Sequence, residues 1–161
     1  MSELMKPQAD VTDGILCTIN ITPESAGWKY VSFSVYRLTQ GQTFRGAADG
    51  RETTIVVLSG IGKAELNGEL VGQIGERLTV FENKAPYALY LSEDGSYQVE
   101  CTSTTMEIAV ASAPTTHRHL PVRVIRPEEV SVELRGEGHT QRRVQHILDT
   151  DQEAESLLVV E

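Results

Sequence analysis

Apolar and polar residues alternate along most of this chain with a period of two. That pattern puts successive side chains on opposite faces of a strand, whereas a helix returns to the same face only every three to four residues. Tyr30-Val31-Ser32-Phe33-Ser34-Val35-Tyr36 is the clearest stretch: Val31, Phe33 and Val35 share one face and the two serines the other. Cys17, Ile19 and Ile21 alternate with Thr18, Asn20 and Thr22 in the same way. Ala64-Glu65-Leu66 and Glu69-Leu70-Val71 flank Asn67-Gly68. That dipeptide predicts a type I′ hairpin, because both central residues of such a turn need positive φ. Further strands are expected at residues 54–58, 78–81, 88–91, 97–102 and 106–111, separated by Gly41, Gly46, Gly50, Gly60, Gly62, Gly72, Gly75 and Gly95. Many short strands with frequent glycine turns define an all-β antiparallel sandwich or barrel.

Charge and length narrow the function classes. With 161 residues there is room for one ordinary domain. The formal net charge of −9 opposes a phosphate backbone, so no nucleic-acid partner is expected. No apolar run approaches the length of a bilayer span, so no membrane partner is expected either. Met1 to Pro7 lacks an apolar signal core, which points to a cytoplasmic protein with Cys17 and Cys101 as reduced thiols.

The composition changes after Ala113-Pro114. Residues 115–143 hold six of the fourteen basic residues and three of the four histidines, with little alternation. The expected division is a β-barrel over 1–114 and a connecting arm over 115–161. Pro127-Glu128-Glu129 can open one helical turn, with proline first and acids at the positive dipole end. Residues 143–148 alternate again, and Leu157-Leu158-Val159-Val160 reads as a buried-type strand that needs neighbours on both sides.

Several segments together resemble the 5-deoxy-glucuronate isomerase family of myo-inositol catabolism, a group of two-cupin proteins. They are Ile21-Thr22-Pro23-Glu24-Ser25-Ala26-Gly27-Trp28; Arg51-Glu52 leading to Val56-Val57-Leu58-Ser59-Gly60; Gly75-Glu76-Arg77 with Val80-Phe81-Glu82 and Pro86-Tyr87-Ala88; Ser112-Ala113-Pro114; Arg135-Gly136-Glu137-Gly138 before Arg142 and Arg143; and Ala154 through Glu161. The resemblance implies a cupin-type antiparallel β-barrel with an extended C-terminal arm. It further implies that this chain is the N-terminal half of a sugar-acid aldose–ketose isomerase, with a second cupin domain carrying the divalent metal. The alternative is a stand-alone, non-catalytic cupin that binds a small acid or a protein partner.

The usual cupin metal set is a His-x-His pair, a glutamate and a third histidine. Between Gly41 and Gly60, and from Gly75 to Tyr90, there is no histidine, and Glu52 alone could stand in for the carboxylate. This half is therefore expected to hold no metal or other cofactor. His117-Arg118-His119 has the spacing of a ligand pair but lies beyond the barrel strands, so a solvated loop is expected; His139 and His146 are expected to be structural. Arg135, Arg142 and Arg143 are the candidates for gripping a substrate carboxylate, against the alternative of pairing with Glu128, Glu129, Glu133 or Glu137. Trp28, Tyr30, Phe33 and Tyr36 are expected in packing rather than in a sugar pocket. No catalytic residue is assigned. Expected partners are a small sugar acid and either the second cupin domain or another copy of the chain.

Overall fold

The computed structural model describes residues 10–149 and 153–161. The strand at its centre shows how period two builds two cores from one sheet. In β5 (Arg51–Ser59), Ile55 and Val57 point into one apolar cluster and Val56 into another on the opposite face. Seven strands form the large sheet: β1 (Asp10–Thr12), β2 (Ile15–Ile21), β3 (Ser32–Thr39), β10 (Thr105–Pro114), β5, β8 (Ala88–Leu91) and β11 (Arg123–Ile125), in that order and all antiparallel. A four-stranded sheet runs β4 (Thr43–Ala47), β9 (Ser96–Cys101), β6 (Gly62–Leu66), β7 (Glu69–Ile74). Leu38, Ile55, Val57, Leu89 and Ile108 of the large sheet meet Leu66, Ile74 and Val99 of the small one, closing the barrel interior. Each fully buried Ile or Leu there contributes about 1.5–3 kcal/mol, so the interior is the main source of stability.

The hairpin forms as expected, with Asn67 at φ 52° and Gly68 at 79°. Pro127–Glu129 is a single 3-10 turn. The short helix α1 (Pro23–Ala26) is one the alternation concealed. Its signal is local: Thr22 Oγ1 accepts from the Ser25 N–H at 3.2 Å, Ser25 Oγ accepts from the Thr22 N–H at 2.9 Å, and Gly27 ends the turn at φ 65°. Ser25 is thus occupied in capping.

Residues 78–81 form no strand. Leu78 is 77% and Phe81 93% exposed, and the segment turns back because the Glu82 carboxylate accepts from the Leu78 N–H at 2.6 Å while the Glu82 N–H donates to the Thr79 carbonyl. A four-residue apolar–polar pattern cannot tell a strand from a turn when a local side chain supplies the hydrogen bond a ladder would give.

The chain after Pro114 is structured throughout its described part. Arg123–Ile125 becomes the edge strand β11 of the large sheet. A third sheet, β12 (Ser131–Arg135), β13 (Arg142–Leu148) and β14 (Val159–Val160), follows. Val130, Ile147, Leu148 and Leu157 pack on Val56, Ala88, Tyr90 and Ala109, so this sheet covers the outer face of the large one. Only Val159 and Val160 of the terminal apolar run pair in a ladder, and Leu158 remains 66% exposed. No helix among the described residues is long and apolar enough to cross a membrane. Cys17 and Cys101 are buried free thiols.

Candidate functional site

The barrel interior does not fit a cupin metal. Among the described residues its apolar cluster is aliphatic and aromatic, and the titratable groups in that cluster are Tyr36, Tyr87, Tyr97 and Cys101. Burial pushes Tyr36, Tyr97 and Cys101 up, so these three stay neutral and serve poorly as bases or ligands. His117 and His119 turn onto Glu93, His146 onto Glu133 and Asp149, and His139 is exposed. Glu52, the lone candidate carboxylate, lies three residues before Ile55 on β5 and so points to the opposite, outer face. There its four hydrogen bonds come from the Tyr90 hydroxyl at 2.7 Å and the backbone N–H groups of Glu155, Ser156 and Leu157 at 2.6, 2.7 and 2.6 Å. Four donors fill the acceptor capacity of one carboxylate and leave nothing for a ligand.

Arg77 is the second buried charge, with 1% exposure. Its guanidinium donates to the carbonyls of Val57, Leu58 and Lys84 and makes a bidentate pair with Glu161, both N–O distances 2.6 Å. Glu52 and Leu58 are six residues apart on β5, as are Glu155 and Glu161 on the terminal segment, about 20 Å of extended chain in each case. The terminal segment therefore runs along the outer side of β5, clamped at one end by a buried anion and at the other by a buried cation.

A third clamp uses the segment's own charge. The Glu155 carboxylate accepts from the hydroxyls of Thr115 and Thr116 and from the N–H groups of Thr116 and Arg118. Burial pushes its carboxyl up, but these hydrogen bonds together outweigh it and bring the value down to about 2 from an ordinary 4.5. Because the folded value lies below the unfolded one, this clamp stabilises fully above pH 4.5 and is lost as the pH falls toward 2. Glu155→Gln is expected to lower the melting temperature by a constant amount at neutral pH, with the gap to wild type closing across that acid window in a pH series of thermal melts. Tyr90 shows the converse effect: burial first, then the Glu52 hydrogen bond, hold its phenol protonated and keep it a donor.

The three arginine candidates do not converge. Arg135 and Arg142 face each other across the β12–β13 hairpin, whereas Arg143 is opposite Leu134 on the other face. Arg135 is paired with Glu133 at 2.9 Å, and His146 approaches the same carboxylate at 3.3 Å. The aromatic candidates scatter as well. Tyr36 stacks on Phe44 inside the barrel, Phe33 packs on the outer core, and Trp28 and Tyr30 are exposed. Tyr30 borders a 480 Å³ cleft with Pro114, Thr115 and Ser156, which has no charged group in its lining. The loop carrying His117 and His119 is the placement sequence reasoning missed: both imidazoles turn onto the buried carboxylate of Glu93. The i, i+2 spacing was the available signal, but the carboxylate that completes the group is distant in sequence.

Two antiparallel sheets closed over an apolar interior, with a buttress on the outer face, define a cupin fold. A predicted oxalate decarboxylase from Thermotoga maritima has the same fold at a TM-score of 0.51 and 17% identity, over 71% of this chain and 96% of that one. The chain belongs to the KduI/IolB family, whose model matches residues 4–161. The 5-deoxy-glucuronate isomerase of Geobacillus kaustophilus is 45% identical over 143 residues, covering 89% of this chain and 51% of the relative. That of Halalkalibacterium halodurans is 36% identical over 164 residues, covering 100% and 60%. The crystal structure of an IolB-like protein from Salmonella typhimurium superimposes with a TM-score of 0.84 at 39% identity, over 89% of this chain and 54% of that one. The chain thus spans about half to three fifths of the length of these relatives.

Proposed function

We propose that this chain is the non-metal half of an isomerase that converts 5-deoxy-glucuronate to 5-dehydro-2-deoxy-gluconate, and that it serves as scaffold and domain interface rather than as the seat of chemistry. The observation that carries the reading is the relation to 5-deoxy-glucuronate isomerases at up to 45% identity, over only about half of their length. An aldose–ketose interconversion moves a proton between neighbouring carbons of an α-hydroxy carbonyl, which requires a positioned acid/base and a polarised oxygen. The interior of this barrel offers a filled apolar core and neutral tyrosines, so those groups are assigned to the remainder of the enzyme. The three clamps on residues 155–161 support the scaffold role, because they fix the direction in which the chain leaves the barrel. The small sugar acid, the second cupin domain and the cytoplasm complete the reading as its substrate, partner and compartment.

The test is to read the coding sequence past the Glu161 codon, then assay the complete product beside the purified 161-residue chain. The expected results are a continuation containing His-x-His, a glutamate and a later histidine, isomerase activity in the complete product, and less than about 1% of that rate in the folded short chain. A stop codon directly after Glu161, or turnover by the short chain alone, overturns the proposal.

A further inference from the structure

The group around Glu93 has a chemistry that the scaffold role does not use. Glu93 and Asp94 sit on the turn between β8 and β9 and His117 and His119 on the segment leading from β10 to β11, at one end of the barrel and outside its apolar interior. The Glu93 side chain is buried, with 6% exposure. Among the described residues its carboxylate meets no lysine, arginine or backbone N–H. One oxygen faces His117 Nδ1, and the other faces His119 Nδ1 at 2.8 Å. Asp94 Oδ2 lies 3.7 Å from the same His119 nitrogen. Arg118, the cation between the two histidines in sequence, turns away to the Ala154 carbonyl.

Two carboxylates, one of them buried, and two imidazoles stand together here. Carboxylate and imidazole side chains are the donors a divalent first-row ion takes. The donor atoms of Glu93, Asp94 and His119 already lie within 4.8 Å of one another. Ligands about 2.0–2.1 Å from a tetrahedral ion stand roughly 3.3 Å apart, so the observed 2.8 and 3.7 Å separations bracket what is needed. Imidazole nitrogens beside carboxylate oxygens select borderline first-row ions over magnesium or calcium, which prefer oxygen alone.

We propose that Glu93, Asp94 and His119, with His117 on the second Glu93 oxygen, form a binding site for a divalent ion of the zinc class, distinct from any site inside a cupin barrel. The ion clips the β8–β9 turn to the loop whose Thr115, Thr116 and Arg118 receive Glu155. It is therefore a structural clip for the same terminal segment that Glu52 and Arg77 hold.

The test uses untagged, chelator-stripped 161-residue chain, titrated with zinc chloride by calorimetry and followed by thermal unfolding. One ion is expected per chain, with a rise in melting temperature of about 5–10 °C at a hundredfold excess over the dissociation constant, and no comparable rise with magnesium chloride. His119→Ala, at an exposed position that leaves the core untouched, is expected to weaken zinc at least about tenfold. The double variant with His117→Ala is expected to abolish binding, while His139→Ala leaves stoichiometry and affinity unchanged. Absence of saturable zinc binding, an equal response to magnesium, or wild-type zinc affinity in the double variant overturns the proposal. None of these readouts depends on isomerase activity.

Discussion

Arg77→Met is expected to cost about 3–5 kcal/mol of unfolding free energy, the range found when one partner of a buried ion pair is removed. The guanidinium is almost fully enclosed and answers three backbone carbonyls as well as Glu161. Methionine fills part of the volume but returns no hydrogen bond, so the Val57, Leu58 and Lys84 carbonyls lose the guanidinium together and the Glu161 carboxylate is left with the Gln145 amide at 2.9 Å. Glu161 itself is 23% exposed and can recover some hydration, which keeps the loss below that of a wholly buried pair. Urea unfolding of wild type, Arg77→Met, Glu161→Gln and the double variant checks this, with a coupling energy of about 1–3 kcal/mol expected between the two sites. A coupling near zero would mean that Arg77 acts through the carbonyls alone.

Glu52→Leu is expected to have an effect of similar size by a different route. Leucine is close in volume and would suit the adjacent apolar cluster, yet it leaves the Tyr90 hydroxyl and three N–H groups without an acceptor. At about 1 kcal/mol for each of the four stranded donors, the total is about 4 kcal/mol, and it falls on the terminal segment rather than on the barrel. Amide exchange at residues 155–157 should therefore accelerate about 100-fold or more, while amides of the barrel interior, such as those of Ile55 and Ile108, change much less. Uniform acceleration across the chain would show that the segment and the barrel unfold as one unit. Glu52→Gln, which keeps one acceptor oxygen, should lie between wild type and Glu52→Leu.

Alternation exposed most of the strands, because a half-buried sheet writes its two faces into the sequence residue by residue. Asn67-Gly68 carried the hairpin by the conformational demand of two positive φ angles. The failures have equally local causes. Residues 78–81 alternate but are closed into a turn by Glu82, and Arg123–Ile125 is too short a run to announce itself as the seventh strand. The family was legible in Arg51-Glu52, Gly75-Glu76-Arg77 and the terminal Ala154 to Glu161 stretch. What those residues do there was not: Glu52 looked like a possible metal carboxylate and Arg77 attracted no role.

The sequence by itself determined an acidic all-β domain, the absence of histidines from residues 1–116 and its kinship with a family of isomerases, since each follows from residue types and spacings along the chain. Only the tertiary structure decided which side of β5 Glu52 faces, that Arg77 is the counter-ion of a residue 84 positions away, and that His117 and His119 converge on Glu93. Those are relations across packed surfaces. The hydrophobic burial that sets them depends on which faces the sheets close against each other, and a linear pattern of apolar residues leaves that choice open until the barrel has formed.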